Sequence, residues 1–379
     1  MVGTWRDDGR EPRNRHLILR HGDASSHLPA SPHHSHGLRE ARALGIGEDV
    51  IESPKHILAV ALGGGAARGW AHIGVLRALK SAGLHPDLVV GTSIGAIVGG
   101  HFAGGQLDAL EDFANSLTRR RFVTYLDPSV SGSGLIAGQS LFDRFNKHLN
   151  NPMIEDLDTR FVAVATELNS GHETWLDSGP LLDAVRASSA IPGIVRPVRI
   201  DGRWLVDGSL VNPIPVSVCR ALGARVIVAV NLNSDGYGNG GNARQIESDT
   251  LGQPPIEIRA SQRWNSRTAF DLVHKRIFGQ REEQAPGIVS VVFDSFSIVH
   301  DRMARSRLMG DPPDVLISPD LAGIGSFDVH RSTELVALGE AAAQEQLAAI
   351  QRRVKAALRE TSEPPLDRFV SSDGAAVHC

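Results

Sequence analysis

The segment Gly91-Thr92-Ser93-Ile94-Gly95 constrains the fold of this chain most, because of what flanks it. The apolar run Leu88–Val90 leads into it, and the small residues of Ala96–Ala103 that follow it suit a helix. A G-x-S-x-G sequence between a strand and a helix is typical of a nucleophile elbow, a strained turn that presents a serine hydroxyl above a sheet. Because the pattern is short and the chain holds 39 glycines, its interpretation depends on the surrounding sequence.

A second strand–loop–helix unit lies upstream of this segment. Residues 56–62 form a buried-strand run, the glycine loop Gly63–Gly69 follows, and apolar residues then recur at helical spacing as far as Gly83. Two consecutive β-α units predict an α/β fold with a largely parallel sheet covered by helices. Further strands are predicted at 160–167, 203–206 and 225–231, and helices at 289–303 and 333–358. We expect the apolar face of the 289–303 helix to lie in the core rather than in a membrane.

The composition limits the classes of function. With 41% hydrophobic and 22% charged residues the 379-residue chain is an ordinary globular protein, and its net charge of −4 gives no general attraction to nucleic acid. Only Cys219 and Cys379 are present, so neither a disulfide framework nor a cysteine-built metal site is expected. The N-terminus lacks the apolar core of a signal peptide, and Leu88–Gly105 is uncharged but interrupted by glycines. We therefore expect a cytoplasmic protein without a membrane span.

The chain divides into one domain and two tails. Residues 1–54 have no periodic apolar pattern and contain a cluster of histidines between His16 and His36. Such a cluster can bind a metal ion, but the composition favours a solvated, disordered extension. We expect a catalytic domain at 55–360 and a flexible tail at 361–379.

A serine nucleophile needs a group that accepts its proton and donors that stabilise the oxyanion. The loop Gly63–Gly69 lies between a strand and a helix and can turn successive backbone N–H groups toward one point. Asp207 lies in Leu205-Val206-Asp207-Gly208, where a short apolar strand ends in a turn. A lone Asp-Gly usually marks only a turn, but rigid proline-containing loops lie on both sides of this one.

A histidine base is harder to find. In the order usual for α/β hydrolases, the histidine would lie late in the chain. The candidates there are His274, His300 and His330, and we expect the last two to be structural or exposed. Earlier in the chain, His72 and His101 are expected to pack. The sequence therefore favours a pair, Ser93 and Asp207.

The glycine loop also allows a dinucleotide site, but its sequence argues against one. Neither register of G-x-G-x-x-G fits, since Arg68 or Ala66 stands where glycine is required. Asp87, the acidic residue further on, precedes its strand instead of ending it.

These three motifs together resemble those of patatin-like phospholipases. The family's G-G-G-x-[KR]-G loop, G-x-S-x-G elbow and later D-G-[GAS] match Gly64–Gly69, Gly91–Gly95 and Asp207–Ser209 in this order. Wider stretches such as AARGWAHIGVLRAL and ASSAIPGIVRPV are similar to bacterial members and to the catalytic part of neuropathy target esterase. The resemblance is strong over about residues 56–232.

The resemblance implies a three-layer α/β/α fold and a Ser–Asp dyad that hydrolyses fatty-acyl esters of phospholipids or lysophospholipids without metal or cofactor. Ser93 would be the nucleophile and Asp207 the proton acceptor. Ala66 departs from the family's usual glycine, which matters only if this residue adopts a positive φ. The implied oxyanion donors are the amides of Gly64, Gly65 and Ala66, and the supporting motif positions are Arg68, Gly69, Gly91, Gly95 and Gly208.

Access to lipid and the choice of substrate stay open at this point. Basic residues cluster with aromatic and aliphatic ones between Arg259 and Arg281, which suits either contact with an anionic membrane surface or a surface helix packed on the core. Two alternatives to a lipid hydrolase are a general carboxylesterase or thioesterase for short soluble esters, and a regulatory scaffold that retains the fold. The oligomeric state is not predicted.

Overall fold

A computed structural model describes residues 56–125, 127, 134–136, 138–233 and 288–362. The predicted tail at 1–54 and the basic segment 259–281 lie outside these residues. So does the predicted tail at 361–379, except that its first two residues end the last helix.

Ten strands are described. They are β1 Leu58–Leu62, β2 Leu88–Thr92, β3 Gly134–Ile136, β4 Arg160–Glu167, β5 Glu173–Leu176, β6 Gly193–Val195, β7 Val198–Ile200, β8 Arg203–Asp207, β9 Val226–Val230 and β10 Val315–Ile317. Eight of them form one sheet in the order β10-β9-β1-β2-β4-β8-β7, with β5 also paired to β4, and β3 and β6 form a separate parallel pair.

Nine α-helices are described, together with short 3₁₀ turns that include Ala66–Trp70. The helices are α1 Ala71–Ser81, α2 Ile94–Ala103, α3 Leu107–Asn115, α4 Arg119–Thr124, α5 Gln139–Leu149, α6 Leu181–Ser188, α7 Val216–Ala221, α8 Ile288–Gly310 and α9 Ser332–Ser362. None of these described helices is long and apolar enough to cross a membrane.

The sheet is mostly parallel but mixed. The neighbours from β10 through β9, β1 and β2 to β4 are all parallel, as the sequence predicts. Beyond them, β5 and β8 run antiparallel to β4, and β7 runs antiparallel to β8. Because β2 runs parallel to β4 and β8 runs antiparallel to it, β2 and β8 approach β4 from opposite directions. This arrangement determines which residues meet at the site.

Helices cover both faces of the sheet and confirm the three-layer prediction. Alternate residues of β1 enter two different hydrophobic clusters, because successive side chains of a strand point to opposite faces. Leu58, Val60 and Leu62 pack with α1, α2, α3, α6 and α9. Ala59 and Ala61 pack with α7 and the C-terminal half of α8.

The close packing of α1 and α9 depends on two glycines. A Cβ on Gly74 of α1 would collide with the carbonyl oxygen of Val336, and one on Gly339 of α9 with that of Ala71. The two backbones therefore touch, which fixes α1 and the loop before it against the sheet.

The expectation that the apolar face of α8 is core is wrong for much of its N-terminal half. Phe293 is buried, but Val292 and Val299 are 38% and 49% exposed. The inward stripe of the helix instead runs through Phe293, Phe296, Ser297 and His300, so it is partly polar.

Candidate active site

Ser93 lies in a strained turn between β2 and α2. Its φ of 57° and ψ of −123° lie outside the regions that non-glycine residues normally adopt. Gly91 and Gly95 permit this turn, because a Cβ on the first would collide with the carbonyl oxygen of Gly95 and one on the second with that of Leu62. Such strain persists only where the surroundings enforce it, and it is concentrated at functional sites.

Two serines at the C-terminal end of α6, Ser188 and Ser189, hold the turn in place. The Ser93 N–H donates to Ser188 Oγ at 3.0 Å, and the Ser188 hydroxyl donates to the Val164 carbonyl at 2.6 Å. Ser189 Oγ donates to the Ser93 carbonyl at 3.1 Å. The backbone N–H and carbonyl of Ser93 are therefore both held by hydrogen bonds, and its hydroxyl is the group that remains to react.

Strands β2 and β8 lie on either side of β4, and their C-terminal ends bring Ser93 and Asp207 together. Thr92, the last residue of β2, pairs with Val164, and Asp207, the last residue of β8, pairs with the next residue, Ala165. Strands from opposite directions thus end at adjacent positions. Ser93 Oγ donates a hydrogen bond of 2.6 Å to Asp207 Oδ2.

The carboxylate of Asp207 is fully buried. Burial raises its pKa from 3.8 to about 6, while hydrogen bonds from Ser93 and Ser209 act in the opposite direction. Oδ1 accepts from the Ser209 N–H at 2.8 Å. Gly208 is required between them, since a Cβ there would collide with the Val164 carbonyl oxygen. A carboxylate with this pKa is ionised at neutral pH and is a stronger base than an exposed aspartate.

The glycine loop presents two free N–H groups to the site, not three. The Gly64 N–H donates to the Pro213 carbonyl at 3.0 Å, which differs from its expected role as an oxyanion donor. No acceptor in the described part of the chain takes the N–H of Gly65 or Ala66, and both residues line a cavity with Ser93. The hydrogen bond from Gly64 anchors the loop instead.

Ala66 has a φ of 51°, so the departure from glycine falls at a position that favours glycine. Arg68 braces the loop, with Nε donating to the Ile324 carbonyl at 2.8 Å. Gly69 allows contact with Ile94 at the start of α2, where a Cβ would collide with the isoleucine side chain. His72 is buried and its Nε2 donates to the Gly63 carbonyl at 2.8 Å, so its packing role includes support of the loop.

Helix α8 covers the site. The cavity that contains Ser93 has a volume of only about 20 Å³, roughly that of one water molecule by the same kind of measure. Its lining residues from α8 are Phe293, Phe296, Ser297 and His300, and the others are Gly65, Ala66, Ser93, Ile191, Ser209, Asn233 and Ser326.

The late histidines lie in different places. His300 is 5% exposed and lines this cavity, whereas the sequence suggested a structural or exposed residue. His330 is exposed, and His274 lies outside the described residues. His101 packs edge-on against Phe145 with ring centroids 5.1 Å apart.

Several residues of the site were missed by motif analysis. Ser209 is the third residue of the D-G-[GAS] motif, and Ser188 and Ser189 lie in the ASSAIPG stretch, so a signal existed for these. No motif contains Asn233 or His300, and the sequence named His300 only as one of three late histidines. Within the described residues, no group of three or more His, Cys, Asp or Glu side chains could hold a metal ion.

This geometry places a serine and an aspartate side by side at a strand–helix turn of an α/β protein. The family model described as patatin-like phospholipase matches residues 60–220. An uncharacterized NTE family protein of Mycobacterium tuberculosis (strain ATCC 25618 / H37Rv) is 33% identical over an alignment 334 positions long, which covers 78% of this chain and 92% of the relative.

Two more distant similarities exist. Patatin-like phospholipase domain-containing protein 7 of Mus musculus is 33% identical over an alignment 190 positions long, which covers 47% of this chain and 14% of the mouse protein. The crystal structure of VipD from Legionella pneumophila aligns with 78% of this chain and 67% of its own, with 14% identity and a TM-score of 0.38.

The chain therefore belongs to the patatin-like phospholipase family. Over most of its length it is similar to NTE family proteins. Membership of this family implies lipid acyl hydrolase activity.

Proposed function

We propose that this protein is a serine acyl-ester hydrolase of the phospholipase A or lysophospholipase type, with Ser93 as nucleophile and Asp207 as proton acceptor. One observation supports this most: the 2.6 Å hydrogen bond from Ser93 Oγ to a buried carboxylate, made from a strained elbow. Phospholipids or lysophospholipids are the proposed substrates.

In the proposed mechanism, Ser93 Oγ attacks the acyl carbonyl carbon while Asp207 accepts the hydroxyl proton. The oxyanion receives hydrogen bonds from the N–H groups of Gly65 and Ala66, and Asp207 then returns the proton to the departing alcohol. Asp207 next takes a proton from water, whose oxygen attacks the acyl-enzyme. When that intermediate collapses, the proton returns to Ser93 and the fatty acid leaves.

We also propose peripheral contact with an anionic membrane surface. The exposed side of α8 carries large aliphatic residues, namely Val291, Val292, Ile298 and Val299. The inner side of the same helix covers the cavity. An exposed apolar strip next to a closed lipid-hydrolase site fits insertion into a lipid interface.

A second candidate function is hydrolysis of short soluble esters or thioesters. The small cavity of about 20 Å³ favours it, because a short ester needs a smaller displacement of α8 than a long acyl chain does. A series of synthetic esters of increasing chain length separates the two functions. A preference for long chains presented in micelles supports the lipid hydrolase.

A fluorophosphonate probe with an intact-mass readout tests the nucleophile. We expect one adduct on the wild type, none on Ser93→Ala, and full labelling of Ser295→Ala, a control at an exposed serine of α8. Asp207→Asn should lower ester turnover by about 10³-fold or more, since it removes the base. An adduct that persists on Ser93→Ala would reject Ser93 as the nucleophile.

A further inference from the structure

His300 reaches the site from α8, remote in sequence from all three motifs. Its ring lies against Gly64, where an added Cβ would be 3.1 Å from His300 Cε1 and 2.6 Å from Ser209 Oγ. The ring therefore borders the glycine loop beside the free N–H groups of Gly65 and Ala66. His300 lines the same small cavity as Ser93, Gly65 and Ala66, so an acyl carbonyl oxygen that enters this cavity comes close to the imidazole as well as to the loop.

A chain of hydrogen bonds determines which nitrogen of this imidazole carries the proton. Arg68 Nη1 donates to Asn233 Oδ1 at 3.2 Å. A guanidinium has no acceptor, so the amide oxygen of Asn233 must face Arg68 and its NH₂ group must face the other way. That NH₂ lies 3.2 Å from His300 Nδ1. Nδ1 must therefore accept, and the proton of the neutral ring is on Nε2.

The same contacts keep the ring neutral. A protonated imidazole would point Nδ1–H at the NH₂ group of Asn233, two donors facing each other. Burial independently lowers the pKa of His300 to about 4. His300 is thus a poor general acid at neutral pH, but Nε2–H is a fixed donor, and no group in the described part of the chain hydrogen-bonds to it.

We propose that His300 is a catalytic residue that donates a hydrogen bond from Nε2–H to the carbonyl oxygen of the acyl ester at Ser93, and that Asn233 and Arg68 are positioning residues that fix its tautomer. The inference rests on the proposed function and adds a side-chain donor to the two backbone donors. No proton is transferred from the ring: the bond strengthens as the carbonyl oxygen becomes negative and weakens as the carbonyl re-forms. Losing such a donor typically costs about 10²–10³ in kcat.

Two substitutions separate donation from packing. His300→Leu keeps an apolar side chain of similar size without a donor, and His300→Gln retains an N–H donor near the position of Nε2. With p-nitrophenyl butyrate, we expect kcat to fall by about 10² in the leucine variant and by about tenfold or less in the glutamine variant. His330→Leu, at an exposed histidine, is the matched control and should match the wild type.

A trifluoromethyl ketone inhibitor that adds to Ser93 tests the same hydrogen bond from His300 without turnover, because the adduct carries an oxyanion. Its inhibition constant should rise in His300→Leu by about the same factor as kcat/KM falls, while KM changes by less than about threefold. Wild-type turnover in His300→Leu, or equal losses in the leucine and glutamine variants, would overturn the inference alone. A wild type that neither hydrolyses esters nor reacts with the probe would overturn the proposed function as well.

The tautomer can be read directly in the wild type. With ¹⁵N-labelled histidine, assigned by loss of its signal in His300→Gln, we expect His300 to show a protonated Nε2 and an unprotonated Nδ1 from pH 6 to 8. In Asn233→Leu the preference should weaken and kcat should fall while KM holds. A protonated Nδ1 in the wild type would overturn the inference even if the variants fail to fold.

Discussion

Asp207 combines a functional requirement with a cost in stability. Its carboxylate is fully buried, and its pKa is raised from 3.8 to about 6. The native state therefore binds the proton more tightly than the unfolded chain between these values. The contribution of Asp207 to the free energy of unfolding therefore falls as the pH rises from about 4 to about 6, by roughly 3 kcal/mol in total, and stays low above that range.

Asp207→Asn should therefore stabilise the protein while abolishing its activity. The amide keeps the shape of the side chain and carries no buried charge, so we expect a higher free energy of unfolding at pH 8 than in the wild type. The difference should shrink through pH 6 and vanish near pH 4. Urea titrations at a series of pH values measure it, and an asparagine variant that is less stable at pH 8 would contradict the account.

Ala66 stores strain in the loop, since its φ of 51° is costly for a residue with a Cβ. An L-residue in this region loses about 1–2 kcal/mol, whereas glycine usually costs about 1 kcal/mol relative to alanine. Ala66→Gly should thus match or slightly exceed the stability of the wild type. Ala67→Gly, one residue on at an ordinary φ, should lose about 1 kcal/mol or more.

Chemical denaturation of the two glycine variants checks this contrast. The comparison is matched, because both alanines lie in the same 3₁₀ turn. Equal losses in the two variants would show that the left-handed conformation of Ala66 costs nothing measurable.

Among the strands and helices, the long apolar ones could be predicted and the short ones could not. The runs that become β1, β2, β4, β8 and β9 are continuous and apolar, which is a strong signal. Strands β6, β7 and β10 have three residues each, too few for any periodicity. One missed signal was present: Asp201 and Gly202 both have positive φ in the two-residue turn that joins β7 to β8, a turn typical of hairpins.

Site residues that belong to short sequence motifs could be predicted, whereas those that come together only through the fold could not. Ser93 and Asp207 stand in short patterns, so the sequence places both. Asn233 and His300 lie 67 positions apart with no local pattern, and only the packing of α8 brings them together. The burial that raises the pKa of Asp207 and the hydrogen bond that engages the Gly64 N–H are equally invisible in a sequence.

The orientation of α8 shows a related limit. Its apolar residues suggested a helix with one buried face, yet the apolar side chains are divided between the cavity side and the outer side. Phe293 packs against Phe327 with ring centroids 4.5 Å apart, whereas Val299 is 49% exposed. Helical periodicity gives the angle between side chains but not which of them faces the sheet.

In the whole protein, the position of α8 links access to Ser93 with the outer surface that we propose contacts the membrane. A cavity of about 20 Å³ cannot hold a lipid, so a lipid hydrolase of this design must move the N-terminal part of α8, which carries Phe293 and Phe296, while His300 keeps its place beside the glycine loop. The outer side of α8 exposes Val292 and Val299. Insertion of these side chains into a bilayer would stabilise a displaced helix, since each buried valine contributes about 1.5 kcal/mol or more.

A double variant, Val292→Asn with Val299→Asn, tests this coupling of membrane contact to catalysis. We expect binding to anionic vesicles, measured by co-sedimentation, and release of fatty acid from them to fall by about tenfold or more. Hydrolysis of p-nitrophenyl butyrate in solution should be unchanged, because this ester needs only a small opening beside α8, which does not depend on a bilayer. Met309→Asn is the control, since Met309 is 80% exposed at the far end of the same helix and should affect neither reaction. If the double variant hydrolyses vesicle lipids at the wild-type rate, the outer side of α8 is not the membrane contact, and lipid must reach Ser93 by another path.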